Sequence, residues 1–281
     1  MHYHPRPIVT ASCFLLAGSV ACTEITALPA GSRSLDPPPE YELWWSMTES
    51  CSGIQGALAN IEWYMVPNTD VLPGTNDLSG EWFPQRNRIV LAASSQHAGG
   101  LVRHEMLHAL LQDAGHVREE FLGRCGGVVD CVEACIRDAG PPTTPPAGTP
   151  TVSTDALDVA IQINPASPGS AVSGGYFTLT VTARNPASHD IVVALPKSGD
   201  SGPSLTFVLT VALNSTQRSS GNYRAYDPGV TRFAAGETKR QVFDFHVGSD
   251  ATFGGLLPGM YTAFASFGNT PAQPVAFTLN P

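Results

Sequence analysis

The run AGPPTTPPAGTPTVST from Ala139 to Thr154 carries no apolar periodicity and is made almost entirely of Pro, Thr, Gly and Ala. Such a stretch supports neither a helix nor a paired strand, so it reads as a semi-rigid linker, and the rest of the chain must fold on either side of it. A chain of 281 residues also exceeds what one core usually serves. We therefore expect two domains, at 36–138 and 156–281, joined by the linker at 139–155. Hydrophobic residues make up 42% and charged residues 14%, enough apolar material for two cores. The net charge of -9, with no basic run, excludes a protein that neutralises phosphates, so no nucleic-acid partner is expected.

After the linker, runs rich in Val, Ile, Phe and Thr alternate with clusters of Gly, Pro, Asn and Ser. They span Leu157–Ile163, Tyr176–Ala183, Ile191–Leu195, Leu205–Leu213, Arg240–Val247, Tyr261–Phe267 and Val275–Leu279. Seven short runs at that spacing, two of them alternating as half-buried strands do (Phe177 to Thr182 and Val242 to Val247), predict an all-β sandwich. Gly236-Glu237-Thr238 and Leu257-Pro258-Gly259-Met260-Tyr261, each placed before a strand, resemble the immunoglobulin-like domains of bacterial surface proteins and of the intracellular proteinase inhibitor family. His189 and His246 stand alone on strands or loops, and we expect neither to bind metal.

The first 22 residues have the form of an export signal: Arg6, then an apolar run from Ile8 to Val20 that is too short to span a bilayer, then small residues before Cys22. Ser19-Val20-Ala21 suits ordinary cleavage and secretion, whereas Ala21-Cys22 resembles the bacterial lipobox despite Ser19. The polar, Pro-rich stretch that follows, with a tether at 23–35, favours a lipoprotein anchored at Cys22 in the cell envelope. Of the cysteines beyond Cys22, four remain: Cys51, Cys125, Cys131 and Cys135. In an oxidising compartment they predict two disulfides, of which at least one should tie the start of the first domain to the segment after its main helix. A cysteine zinc knot is the alternative, disfavoured because no C-x-x-C spacing occurs.

The chemistry concentrates between His97 and His116, which hold four of the six histidines beyond residue 22. The stretch Leu101 to Ala114, closed by Gly115, has the length and residue types of a helix, and it is apolar nearly all round, so it should be buried. It nevertheless carries His104, Glu105 and His108. Histidines at i and i+4 lie about 40° apart and one turn along, so both rings can reach one ion. Glu105, one step round from His104, then sits where a carboxylate can take a proton from an attacking water and return it to a leaving amine. Zinc asks for one more protein ligand and an open position. Burying these ionisable groups is costly without a partner, and a metal would be that partner.

His104-Glu105-Met106-Leu107-His108 is similar to the zincin superfamily and matches its H-E-x-x-H motif at each fixed position. The resemblance implies an α+β zincin-like domain, Zn2+ on His104 and His108, Glu105 as general base, and a peptide or protein substrate. The metzincin continuation is absent, since Leu111 and Ala114 stand where its Gly and third His would be. Gly115-His116 followed by Phe121 resembles the SprT-like group, which implies His116 as third ligand, ahead of Glu119, Glu120 and Glu133. His97 is the other candidate and reads as an exposed loop residue. Arg103 and Tyr64 could stabilise an oxyanion, although ordinary structural contacts are the simpler reading of both. Trp44, Trp45, Ile61, Trp63, Tyr64 and Val66 read as core, with the lining of a substrate pocket as the alternative.

Zincins present an edge strand to an extended substrate, and Arg88 to Ala92 is the expected strand here. The reading is thus an exported zinc metallopeptidase. Its alternative is a surface binding lipoprotein whose zinc site is inactive or structural and whose C-terminal domain does the binding.

Overall fold

The structure, a computed structural model, describes residues 27–75, 77–131, 135, 156–165, 175–194, 207–213, 216–219, 230–248 and 255–280. The signal, Cys22, residues 23–26 of the tether, Glu133 and the linker lie outside the described residues, whereas the end of the tether forms β1 and packs Leu28 against a core. The fold is rich in strand, with two longer helices, and is α+β.

The N-terminal part is one sheet with a helical layer. Its strands are β1 (Arg33–Ser34), β2 (Glu62–Val66), β3 (Gly80–Phe83) and β4 (Arg88–Ala92), in the order β1-β2-β4-β3. β2 and β4 run parallel, and β3 returns antiparallel on β4. Helices α1 (Glu40–Ser52) and α2 (Gly99–Leu111) cover one face. There Trp63, Trp82, Ile89 and Leu91 meet Trp44 and Met106 in one buried cluster. The alternate positions Val66, Phe83, Val90 and Ala92 point the other way and bury Leu72. The aromatic residues assigned to the core are buried, with Tyr64 half-buried at its rim.

Arg88–Ala92 is not the edge strand expected from sequence. All five of its residues are buried and it lies between β2 and β3. An uninterrupted apolar run is what a strand covered on both faces and both edges requires. The edge beside α2 is β3.

Two disulfides are present. Cys51–Cys125 joins the end of α1 to the turn after α2, across 74 residues, and Cys131–Cys135 closes a short loop. They are consistent with an oxidising, exported location. Among the described residues, no helix is long and apolar enough to cross a membrane.

The C-terminal part contains only strands among the described residues: β5 (Asp158–Asn164), β6 (Tyr176–Arg184), β7 (Ile191–Ala194), β8 (Phe207–Leu213), β9 (Thr216–Ser219), β10 (Val230–Phe233), β11 (Thr238–Val247), β12 (Gly255–Leu256), β13 (Gly259–Phe267), β14 (Thr270–Pro271) and β15 (Val275–Leu279). One sheet has the order β12-β11-β6-β5, a second the order β14-β13-β8-β9 with β15 also on β13, and β7 pairs with β10. Phe177, Leu179 and Phe245 from the first sheet and Leu209, Val211 and Phe277 from the second share one core. All seven expected strands are present, several a residue or two longer or shorter than the sequence indicated.

Candidate metal centre

Helix α2 is buried over most of its surface because two different cores claim it. Val102, Met106, Ala109 and Leu110 face the aromatic cluster, and Leu107 faces a second one around Phe121. His104, Glu105 and His108 occupy what remains, at 8%, 4% and 5% exposure. The helix stops at Leu111, three residues before the expected end. Gln112 takes the left-handed conformation (φ 53°) and its N–H closes on the His108 carbonyl, so Gln112 fills the role assigned to Gly115. The Gly115 N–H instead donates to Asp113 Oδ1 at 2.8 Å, a tight turn that brings His116 back beside the helix.

The three imidazoles converge. His104 Nε2 lies 3.1 Å from His116 Nε2 and 3.2 Å from His108 Nε2. One nitrogen from each residue falls within 4.8 Å of the others, a group able to hold a metal ion. Two tautomers follow from the surroundings. His104 Nδ1 is 2.6 Å from the Asp130 carbonyl and His108 Nδ1 is 2.7 Å from the Asp113 carbonyl. A carbonyl only accepts, so each Nδ1 carries the proton and each Nε2 turns a lone pair toward the other rings. Burial, above all, pushes the His108 pKa down to about 4, so this ring is neutral at physiological pH. Phe121, fully buried, has its ring within 5.0 Å of all three imidazoles and fixes their mutual angles. Trp82 stacks parallel to His108.

Converging lone pairs in a buried place repel unless a cation lies among them, and carbonyls holding the far nitrogens of two rings are the usual outer support of histidine ligands. Tetrahedral zinc at about 2.0–2.1 Å from each nitrogen separates its ligand atoms by roughly 3.3 Å, close to the spacings found here. His116 is half-buried where the other two are buried, which leaves that side of the cluster open to solvent.

Glu105 points at β3. The Trp82 backbone N–H donates to its carboxylate, and Gly80 leaves room for it, since a Cβ at Gly80 would stand 3.2 Å from Glu105 Cγ and Oε1. Burial, reinforced by the charge of Glu81, pushes the Glu105 pKa up to about 8.

The remaining candidates go elsewhere. His97 is not the exposed loop residue expected: it is half-buried, its Nδ1 is 2.7 Å from Glu40 Oε1, and its ring stacks on Tyr176. Glu119 and Glu120 face Arg124. Arg103 is buried against Asp244, and the Tyr64 hydroxyl donates to Glu62, so neither reaches the histidines. The His246 ring packs on Tyr176, and His189 lies by Asn185. A cleft of about 690 Å³ between the Glu119–Arg124 turn and β11 includes none of the three histidines. Sequence reasoning missed the carbonyls of Asp113 and Asp130 and the strand β3. Backbone carbonyls carry no residue signature, so only Trp82 with its neighbouring Gly80 offered a sequence sign.

No family model matches this chain, and no curated protein matches it. Among solved structures, the Pseudomonas fluorescens alkylpurine DNA glycosylase AlkC aligns at 11% identity and a TM-score of 0.28, over 44% of this chain and 30% of its own. A β-glucosidase from Erythrobacter marinus aligns at 16% identity and 0.27, over 44% and 15%. The putative ApaA protein of Bordetella pertussis aligns at 12% identity and 0.23, over 45% and 92%. This chain thus spans less than a third of the first two, and TM-scores this low assign neither a fold nor an activity.

Proposed function

We propose that this chain is an exported zinc peptidase that hydrolyses peptide bonds with an activated water. The observation that carries the reading is the convergence of three histidine Nε2 atoms beside a buried glutamate on one helix and the turn that follows it. On this reading the N-terminal part is a zincin-like domain, the C-terminal part an immunoglobulin-like sandwich, and Cys22 the lipid anchor.

His104, His108 and His116 would hold the ion. When bound, zinc acts as a Lewis acid toward water and toward the scissile carbonyl. His104 and His108 are held ready by the Asp130 and Asp113 carbonyls, so little reorganises on binding. Glu105 receives a proton from the attacking water on a carboxylate oxygen and passes it to the departing amine. The Trp82 N–H keeps that carboxylate aimed along the strand edge. Among the described residues β3 pairs only with β4, so an extended peptide can add along its other edge by main-chain hydrogen bonds. This edge lies against Glu105, which meets both Gly80 and the Trp82 N–H of β3.

The test is Glu105→Gln in the full chain, assayed on a broad peptide library together with the natural protein. Cleavage by the natural protein and a loss of at least about a hundredfold in the variant support the reading. Full activity in the variant overturns the mechanism. A natural protein that holds zinc and cleaves nothing replaces it with a binding protein built on the C-terminal strands.

A further inference from the structure

From Val242 to His246, the face of β11 that its alternation marks as polar is covered rather than open to water, although Thr238 and Arg240 earlier on that face are exposed. Phe243, Phe245 and Val247 point into the C-terminal core. The intervening residues point at the N-terminal part: Val242 is buried in the cluster that contains Leu107 and Phe121, and Asp244 meets Arg103. His246 packs on Tyr176, which itself stacks on His97 and meets the edge of Trp44.

Arg103 immediately precedes the first histidine of the cluster and is 1% exposed. Its Nη1 and Nη2 donate to Asp244 Oδ1 and Oδ2 at 2.7 and 2.9 Å, a two-pronged pairing, and its Nε donates to the Val128 carbonyl at 2.7 Å. One guanidinium therefore joins three things: the helix bearing His104 and His108, the segment leading to Asp130 whose carbonyl holds His104 Nδ1, and strand β11. The fit leaves no slack. A Cβ at Gly99, in the first turn of α2, would stand 2.6 Å from the Asp244 carboxylate. Gly127, at φ +80°, lies so close to β11 that a Cβ would come within 1.8 Å of the Arg240 carbonyl, and the Gly127 carbonyl accepts from Val242 N–H at 2.7 Å. Val242 meanwhile packs behind Phe121, the ring that touches all three imidazoles.

We infer that the C-terminal strands are a working part of the metal centre, and that Asp244 is a positioning residue which, through Arg103, sets α2 and the Val128–Asp130 segment in the arrangement that makes the histidines converge. The inference rests on the metal-binding reading above. It gives the C-terminal part a role inside the site and requires no ligand of its own.

The experiment compares the full-length natural protein with Asp244→Asn, Arg103→Lys and Phe277→Ala. The Asn variant keeps the shape of the side chain and removes its charge, and the Lys variant keeps the charge and removes the fork. Phe277 lies in the C-terminal core and makes no contact with Arg103, so its truncation lowers stability without touching the pairing. Zinc affinity is measured by competition with a chromophoric chelator, geometry by the visible bands of bound Co2+, and stability by thermal unfolding of the metal-free forms. We expect Asp244→Asn and Arg103→Lys to weaken zinc binding by about 10- to 100-fold and to alter the cobalt spectrum. Phe277→Ala should lower the melting temperature and leave affinity and spectrum unchanged. Natural affinity and spectrum in either pairing variant, or an equal loss in Phe277→Ala, overturns the inference. A natural protein that takes up neither metal overturns the reading beneath it.

Discussion

Replacing Glu105 by Gln in the metal-free protein should change how stability depends on pH, in a direction set by its burial. Glu105 is 4% exposed, and its pKa is raised from 4.5 to about 8 by burial and by Glu81. The folded state therefore keeps a proton that the unfolded chain gives up, so Glu105 lowers stability progressively as pH climbs from 4.5 through about 8 and by a constant amount above that. At about 1.4 kcal/mol per pH unit, the cost in alkaline solution is roughly 5 kcal/mol. Gln has no charge to bury and can still accept from the Trp82 N–H. His108, whose pKa falls to about 4, makes stability fall as pH drops through 6.5 toward 4, but it does so in both proteins and cancels in the comparison. Urea unfolding with a chelator present, at pH 4, 6 and 9, should thus show near equality at pH 4 and a Gln variant more stable by roughly 5 kcal/mol at pH 9. Added zinc should shrink the gap, since a neighbouring cation favours the carboxylate. A gap that does not change with pH, or a Gln variant less stable at pH 9, would refute the placement of this carboxylate.

Three further outcomes are expected. Changing Cys51 and Cys125 together to Ser opens a closure of 74 residues and should cost about 4 kcal/mol in chemical denaturation, against about 2 kcal/mol for the Cys131–Cys135 pair. Phe121→Ala removes the fully buried ring beneath all three imidazoles, so it should lower stability by about 3–5 kcal/mol and weaken zinc binding in the same samples, as unfolding curves and chelator competition will show. Gly80→Ala crowds Glu105 at 3.2 Å and should reduce kcat by about tenfold or more while zinc content stays at the natural level.

What could be read from the sequence was whatever side-chain pattern decides locally. The i, i+4 histidines on an apolar helix brought their own geometry, and strands such as Phe177 to Thr182 announced themselves by alternation. The return of His116 was legible from a turn-forming Gly, although the turn that achieves it begins at Gln112, a residue type that rarely takes positive φ. The short strands β9, β10, β12 and β14 were not seen, because two to four residues carry no measurable period. From sequence alone β4 reads as an edge strand because a bare strand does not reveal its neighbours; its unbroken burial does. The docked face of β11 was hidden for a deeper reason. Asp244 looks like the polar side of a half-buried strand, and only the approach of Arg103, 141 residues earlier, makes it an inside residue.

The central claim is that three imidazoles grip one ion, and metal analysis of the mature protein beside its His116→Ala and His97→Ala variants tests it most directly. The account predicts one tightly held zinc per chain in the natural protein and in His97→Ala, and much weaker binding in His116→Ala. A natural protein that retains no zinc after purification, or a His116→Ala variant that holds it as firmly, would contradict it.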